Sequence, residues 1–144
     1  MHKILHTTAK GTIMARMKEY VINLVPIPWK RAGVREKVFY DRQTHEKLAF
    51  GLYLNKEHGS EPKFVKPVHV EVVFYMPIPK SVSKRSRILW HRSVPDIDNL
   101  QKFVFDAINH TRTIWEDDRI VSSLVAKKVY DNNPRTHIII TELE

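Results

Sequence analysis

A chain of 144 residues fits a single domain whose core needs no covalent staples, and the absence of cysteine excludes disulfides, thiolate zinc sites and a cysteine nucleophile. The formal net charge of +8 points to a polyanionic partner, nucleic acid first, although charge alone does not separate DNA from RNA or from an anionic membrane. No apolar run approaches a membrane span, and Met1 to Leu5 lacks the long apolar region of a signal peptide, so no membrane partner and a cytoplasmic location are expected.

Residues 1–17 show no clear periodicity and are read as a flexible extension, leaving 18–144 as the compact unit. Glu19 to Val25 alternates as a first strand and is ended by Pro26-Ile27-Pro28. Trp29, Lys30, Arg31 and Arg35 follow in a loop, where an aromatic among cations suits a phosphate or base contact. Trp29 equally suits a lid on the core. Thr44 to Glu57 is predicted as a helix with a modest apolar side of Leu48, Ala49 and Leu52, ended by Gly59-Ser60-Glu61-Pro62. Val68 to Met76 is the clearest strand, with alternate valines on one side, and Pro77 and Pro79 stop it.

Lys80 to Arg92 is the densest basic segment, carrying Lys84, Arg85, Arg87 and Arg92 with no carboxylate. A solvated charge run is its ordinary reading; its position just before an acidic stretch favours a DNA contact. Lys30 and Arg31 are assigned the same role.

From Pro95 to Asp118 the sign inverts, with Asp96, Asp98, Asp106, Glu116, Asp117 and Asp118 in one short piece of a basic chain. Leu100, Phe103, Val104, Ala107 and Ile108 form the stripe of a helix packed on a core, starting near Asp98, with Asp98 or Asn99 as its N-cap. Asp98, Lys102 and Asp106 then stand one turn apart on the opposite face. Arg119 to Tyr130 reads as a strand, 131–134 as a turn, and Thr136 to Thr141 as a strand returning in a hairpin. The expected fold is α+β: one domain, a mixed β-sheet and two main helices in the order β-α-β-α-β-β. Carboxylates at a helix entrance and a strand entrance can meet if the two elements pack together. Such a cluster repels itself without a cation, and hard oxygen donors favour Mg²⁺, with Mn²⁺ as a substitute.

The pattern Asp-x-Asp-Asn-Leu-x-Lys-x-x-x-Asp-Ala, supplied by Asp96, Asp98, Asn99, Leu100, Lys102, Asp106 and Ala107, and then Trp115, Asp117 and Asp118, resembles the RusA family of Holliday-junction resolvases. The resemblance extends to Pro26 to Arg31 and to Lys128 and Pro134-Arg135. Two stretches depart from it: Arg119-Ile120 after the Asp pair, and Ser93-Val94-Pro95, where some relatives have basic residues. It implies a homodimer that binds a four-way DNA junction and nicks two opposed strands with a pair of metal sites, its two-fold axis matching that of the junction.

Phosphodiester hydrolysis needs an activated water and relief of charge at phosphate, both of which divalent ions supply. Asp96, Asp98 and Asp118 are assigned as ligands, with Asp117 a fourth ligand or a group behind them. Lys102 is assigned to stabilise charge developing on the phosphate or leaving oxygen. The plainer alternatives are an Asp98–Lys102 surface pair, a capping role for Asp98, and an Asp106 that only orients Lys102. A nuclease for other branched or single-stranded DNA and a non-catalytic nucleic-acid-binding module are the rival functions. A calcium-binding EF-hand loop is excluded by Gln101 and Ala107 at positions that need Gly and Glu.

Overall fold

The computed structural model describes residues 2–8, 11–81 and 89–144, with side chains from residue 15 onward. The elements are β1 (His2–Thr8), β2 (Gly11–Ile22), β3 (Gly33–Arg35), β4 (Val38–Tyr40), α1 (Thr44–His58), β5 (Val68–Pro77), α2 (Ile97–Thr111), a 3₁₀ turn at Asp118–Ile120, β6 (Val121–Asp131) and β7 (Arg135–Glu142). One five-stranded sheet runs in the order β1-β2-β7-β5-β6, and β3 and β4 form a separate ribbon. β5 and β6 are parallel and joined through α2, whereas the other neighbours are antiparallel. The α+β class, the mixed sheet and the two main helices agree with the sequence reading.

The core lies between one face of the sheet and the two helices. Val68, Val70, Val72, Phe74 and Met76 alternate inward from β5, and Tyr20, Ile22, Ile138 and Ile140 continue the face on β2 and β7. Against them pack Phe50 and Leu54 of α1 and the predicted stripe of α2, every member of which is buried. Burying a side chain of this size contributes about 1.5–3 kcal/mol, so this alternation fixes which face of each strand meets the helices.

Three expectations are corrected. The strand expected at Glu19 to Val25 is β2, which begins at Gly11 and ends at Ile22 and pairs with β7 only from Met17 onward; residues 11–16 pair with β1 alone. The stretch read as a loop after Trp29 contains the β3–β4 ribbon, whose turn holds Glu36 and Lys37 at positive φ (52° and 65°). Two-residue hairpin turns need that backbone, and Asn or Gly, the usual signals for it, are absent here.

The terminal hairpin does not form, because β5 lies between β6 and β7. β5, the strand with the most regular inward alternation, gains pairing on both edges in that position. The three residues between Asp131 and Arg135 arch across its end, about 10 Å for two strand spacings. The arch is held by an Asn133 N–H bond to Asp131 Oδ2 at 2.9 Å.

Candidate active site

α2 begins after Pro95, and its N-cap position is Asp96, in extended conformation (φ −69°, ψ 145°), rather than Asp98 or Asn99. The Asp96 side chain makes no capping bond, so its carboxylate is not used to close the helix. Asp98 stands in the first turn, where the positive end of the helix dipole favours a negative charge. The chain leading into the helix is fixed from the sheet. Lys128 of β6 donates to the carbonyls of Ser93 and Pro95, each at 2.9 Å, and residues 89–91 run along the outer edge of β6 through the pairs Tyr130 N–H to Leu89 O and His91 N–H to Lys128 O.

Two adjoining cavities open around this helix start. One, between α2, the 3₁₀ turn and β6, is lined by Asp98, Gln101, Lys102, Asp106, Asp118 and Leu124. The other is lined by Trp29, His91, Pro95, Asp96, Asn99 and Tyr130. Lys102 links them: its Nζ lies 3.5 Å from the centroid of the Trp29 ring, a cation–π contact that holds the ammonium at the rim. Trp29 in turn packs against the core and its N–H bonds to Asn99 O at 2.8 Å. Trp29 thus serves as a lid on the core, and its ring carries the Lys102 ammonium.

Asp118 is oriented from inside the protein. Asn109 Nδ2 donates to Asp118 Oδ2 at 3.1 Å, while Asn109 Oδ1 accepts from Nε1 of the fully buried Trp115 at 2.6 Å. Asp117 Oδ1 accepts from the Arg119 N–H at 2.8 Å and so caps the turn that carries Asp118. Asn109 stands eleven residues beyond Asp98, about 16 Å further along the helix axis at 1.5 Å per residue. Asp98 and Asp118 therefore share a cavity without sharing its near end, and Asp96 faces the neighbouring one. Among the described residues no three His, Asp or Glu side chains converge closely enough to hold a metal ion.

The donor chemistry nevertheless suits a hard cation. The cavity presents carboxylates, and the Gln101 amide lines it while buried, with neither Oε1 nor Nε2 partnered in the protein. An orphaned buried amide costs about 1–3 kcal/mol, so the chain gains no stability from holding it there.

Lys47 of α1 reaches the same region, 2.8 Å from Asp41 and 4.0 Å from Asp106. Burial raises the Asp106 carboxyl above the ordinary aspartate value, opposed by Lys47 and Lys102 and reinforced by the charge of Asp118. His91 is held below the usual imidazole value by burial and then by Lys128. Lys30, Arg31 and Arg92 are exposed near these cavities. Lys84, Arg85 and Arg87 lie outside the described residues. Gln101, Asn109 and Lys47 carry no signal in the sequence that points to the site. Gln101 sits one step from the apolar stripe, and the Asn109–Trp115 bond has no periodic signature.

A mixed sheet with helices on one face and a cavity gathering Asp98, Lys102, Asp106 and Asp118 along the second helix defines an α+β domain with an acidic, lysine-bearing cleft. The endodeoxyribonuclease RusA family model matches residues 24–141. A crossover junction endodeoxyribonuclease of Lactococcus phage r1t is 32% identical over 131 residues, covering 87% of this chain and 96% of the phage protein. The uncharacterized protein YqaN of Bacillus subtilis is 36% identical over 124 residues, covering 78% of this chain and 86% of its own. The chain belongs to the RusA endodeoxyribonuclease family. No helix among the described residues is long and apolar enough to cross a membrane.

Proposed function

We propose that this protein is a Mg²⁺-dependent endodeoxyribonuclease that resolves four-way DNA junctions by paired symmetric nicks. It acts in the cytoplasm as a homodimer, with Mn²⁺ able to replace Mg²⁺, and residues 18–144 form the nuclease unit. The observation that carries this reading is the cavity shared by Asp98, Lys102 and Asp118 in a chain of this family. The name of the phage relative supports the junction as substrate.

Asp98 and Asp118, on the walls of the shared cavity, and Asp96, at the cavity beside it, are the carboxylates that would have to draw together to hold the cation, with Asp117 behind Asp118. Bound there, the cation supplies charge neutralisation at phosphate and a water of lowered pKa. The rest of the work falls to the chain itself. Lys102, braced on the Trp29 ring, offers its ammonium to the phosphate or the departing oxygen. Asn109 fixes the angle of the Asp118 carboxylate. Asp106, between Lys47 and Lys102, sets the position of those cations and not the chemistry. Lys30, Arg31 and Arg92, with Lys84, Arg85 and Arg87, contact the DNA backbone, orienting the junction and making binding salt-dependent.

The test is incubation of the full chain with Mg²⁺ and a synthetic four-way junction, beside linear duplex and a Y-shaped fork. Paired symmetric nicks confined to the junction are expected. Equal cutting of the fork or of single strands favours the broader branched-DNA nuclease. Binding without any cleavage identifies a non-catalytic module.

A further inference from the structure

The β3–β4 ribbon carries an apolar surface that the fold does not use. Val34 and Phe39 are directly opposite each other in its ladder, so their side chains share one face. They are 58% and 76% exposed, which leaves the pair unpartnered in the described chain. On the other face Tyr40 covers Gly33, where any Cβ would overlap the Tyr40 ring; that contact keeps the ribbon closed and leaves Phe39 outward.

Both roots of the ribbon are fixed at the rim of the candidate site. At its entry, Trp29 is bonded to Asn99 and covered by Lys102. Buried Gln43 then ties entry to exit: its Nε2 donates to Pro28 O, and its Oε1 accepts from the Lys30 N–H, both at 2.9 Å. At its exit, Asp41 pairs with Lys47, which approaches Asp106. The apolar pair is thus carried on a short arm rooted beside the acidic cavity. Around it stand Arg31, Arg35, Lys37 and Arg42, all exposed, against Glu36 and an Asp41 already paired.

An exposed aromatic within cationic side chains suits a polyanion with accessible ring faces. The branch point of DNA offers that combination: phosphates close together and bases whose stacking is interrupted. From the cross-strand pair, the basic flanks and the anchoring at the cavity, we infer that the β3–β4 ribbon is a branch-reading element. Phe39, backed by Val34, stacks on an unstacked base at the branch while the flanking cations hold the adjoining phosphates. This deepens the nuclease reading and rests on it, because it supplies the discrimination between branched and linear DNA that the acidic cavity lacks.

The test uses the full chain in EDTA, so that nothing is cut, with junctions carrying 2-aminopurine at the branch or within one arm. Wild type should change the fluorescence at the branch and not in the arm. Phe39→Ala should abolish that change and weaken junction binding roughly tenfold, with linear duplex affected less than about twofold. Phe39→Trp should keep both the signal and the affinity. Phe39→Ala with wild-type fluorescence and an unaltered junction-to-duplex ratio overturns the assignment. So does a Phe39→Ala protein whose sedimentation shows a lost dimer, since the ribbon then faces a second copy of the chain. A wild type that does not prefer the junction at all overturns the resolvase reading together with this one, and is distinguished by the wild-type arm alone.

Discussion

Asn109 holds Asp118 with one end of its amide and buried Trp115 with the other, at 3.1 and 2.6 Å. The orientation of an acidic side chain at the candidate site is therefore set by the hydrophobic core. Groups that orient a ligand from behind typically change affinity or activity about 10–100-fold when removed.

Asn109→Asp separates the two halves of this link. The variant keeps an oxygen for the Trp115 N–H but replaces the donor to Asp118 with a carboxylate. Junction cleavage is expected to fall about 10–100-fold. The thermal midpoint should move less than in Asn109→Leu, where a buried N–H loses its partner at a cost of about 1–3 kcal/mol. Cleavage rates and thermal melts of the two variants check this. Equal cleavage by Asn109→Asp and wild type would remove Asn109 from the site.

Gln101 presents the opposite balance between stability and function. Its amide is buried beside the acidic cavity without a protein partner. Gln101→Leu is expected to stabilise the protein by about 1 kcal/mol and to impair cleavage. Denaturant midpoints and turnover measured on one preparation decide the matter. A destabilised variant with full activity would make Gln101 an ordinary core residue.

The pair formed by His58 and Tyr20 predicts an acid dependence of stability unrelated to catalysis. The Tyr20 hydroxyl and His58 Nδ1 are 2.7 Å apart in the core, and burial holds the imidazole below its ordinary 6.5. Below pH 6.5 the unfolded chain binds a proton that the folded chain resists, so the stability fully present above 6.5 is lost as pH falls toward the lowered folded value. His58→Leu should be less stable than wild type at pH 7.5, yet show a flatter loss on acidification. Thermal melts between pH 5 and 7.5 check this; parallel curves for the two proteins would contradict it.

The parts of this molecule legible in the sequence are those with a long, regular period. α2 showed its stripe and β5 its alternation, because each buries one face over many residues; α1 showed its length and terminator, but Leu48 and Leu52 of the side read as apolar are exposed, and Phe50 and Leu54 face the core instead. Strand order was not legible. β6 and β7, joined by a short polar turn, look like hairpin partners whether or not a third strand intervenes, and only the packing of β5 decides. The ribbon turn at Glu36-Lys37 carries none of the residues that announce positive φ. At the site, the carboxylates and Lys102 were visible by type and spacing. Which of Asp96 and Asp98 opens the helix was not, since two aspartates two residues apart fit the cap equally well. Gln101 and Asn109 were hidden for a different reason: their roles come from what surrounds them in space, not from their spacing along the chain.

The carboxylates around the start of α2 are predicted to carry phosphodiester cleavage and not the binding of DNA. Asp98→Asn keeps the size of the side chain and the helix start while removing one of those charges. Measured on a four-way junction in Mg²⁺, the variant is predicted to bind as wild type does and to cut no more than background. Wild-type cleavage by Asp98→Asn would take these carboxylates out of the chemistry.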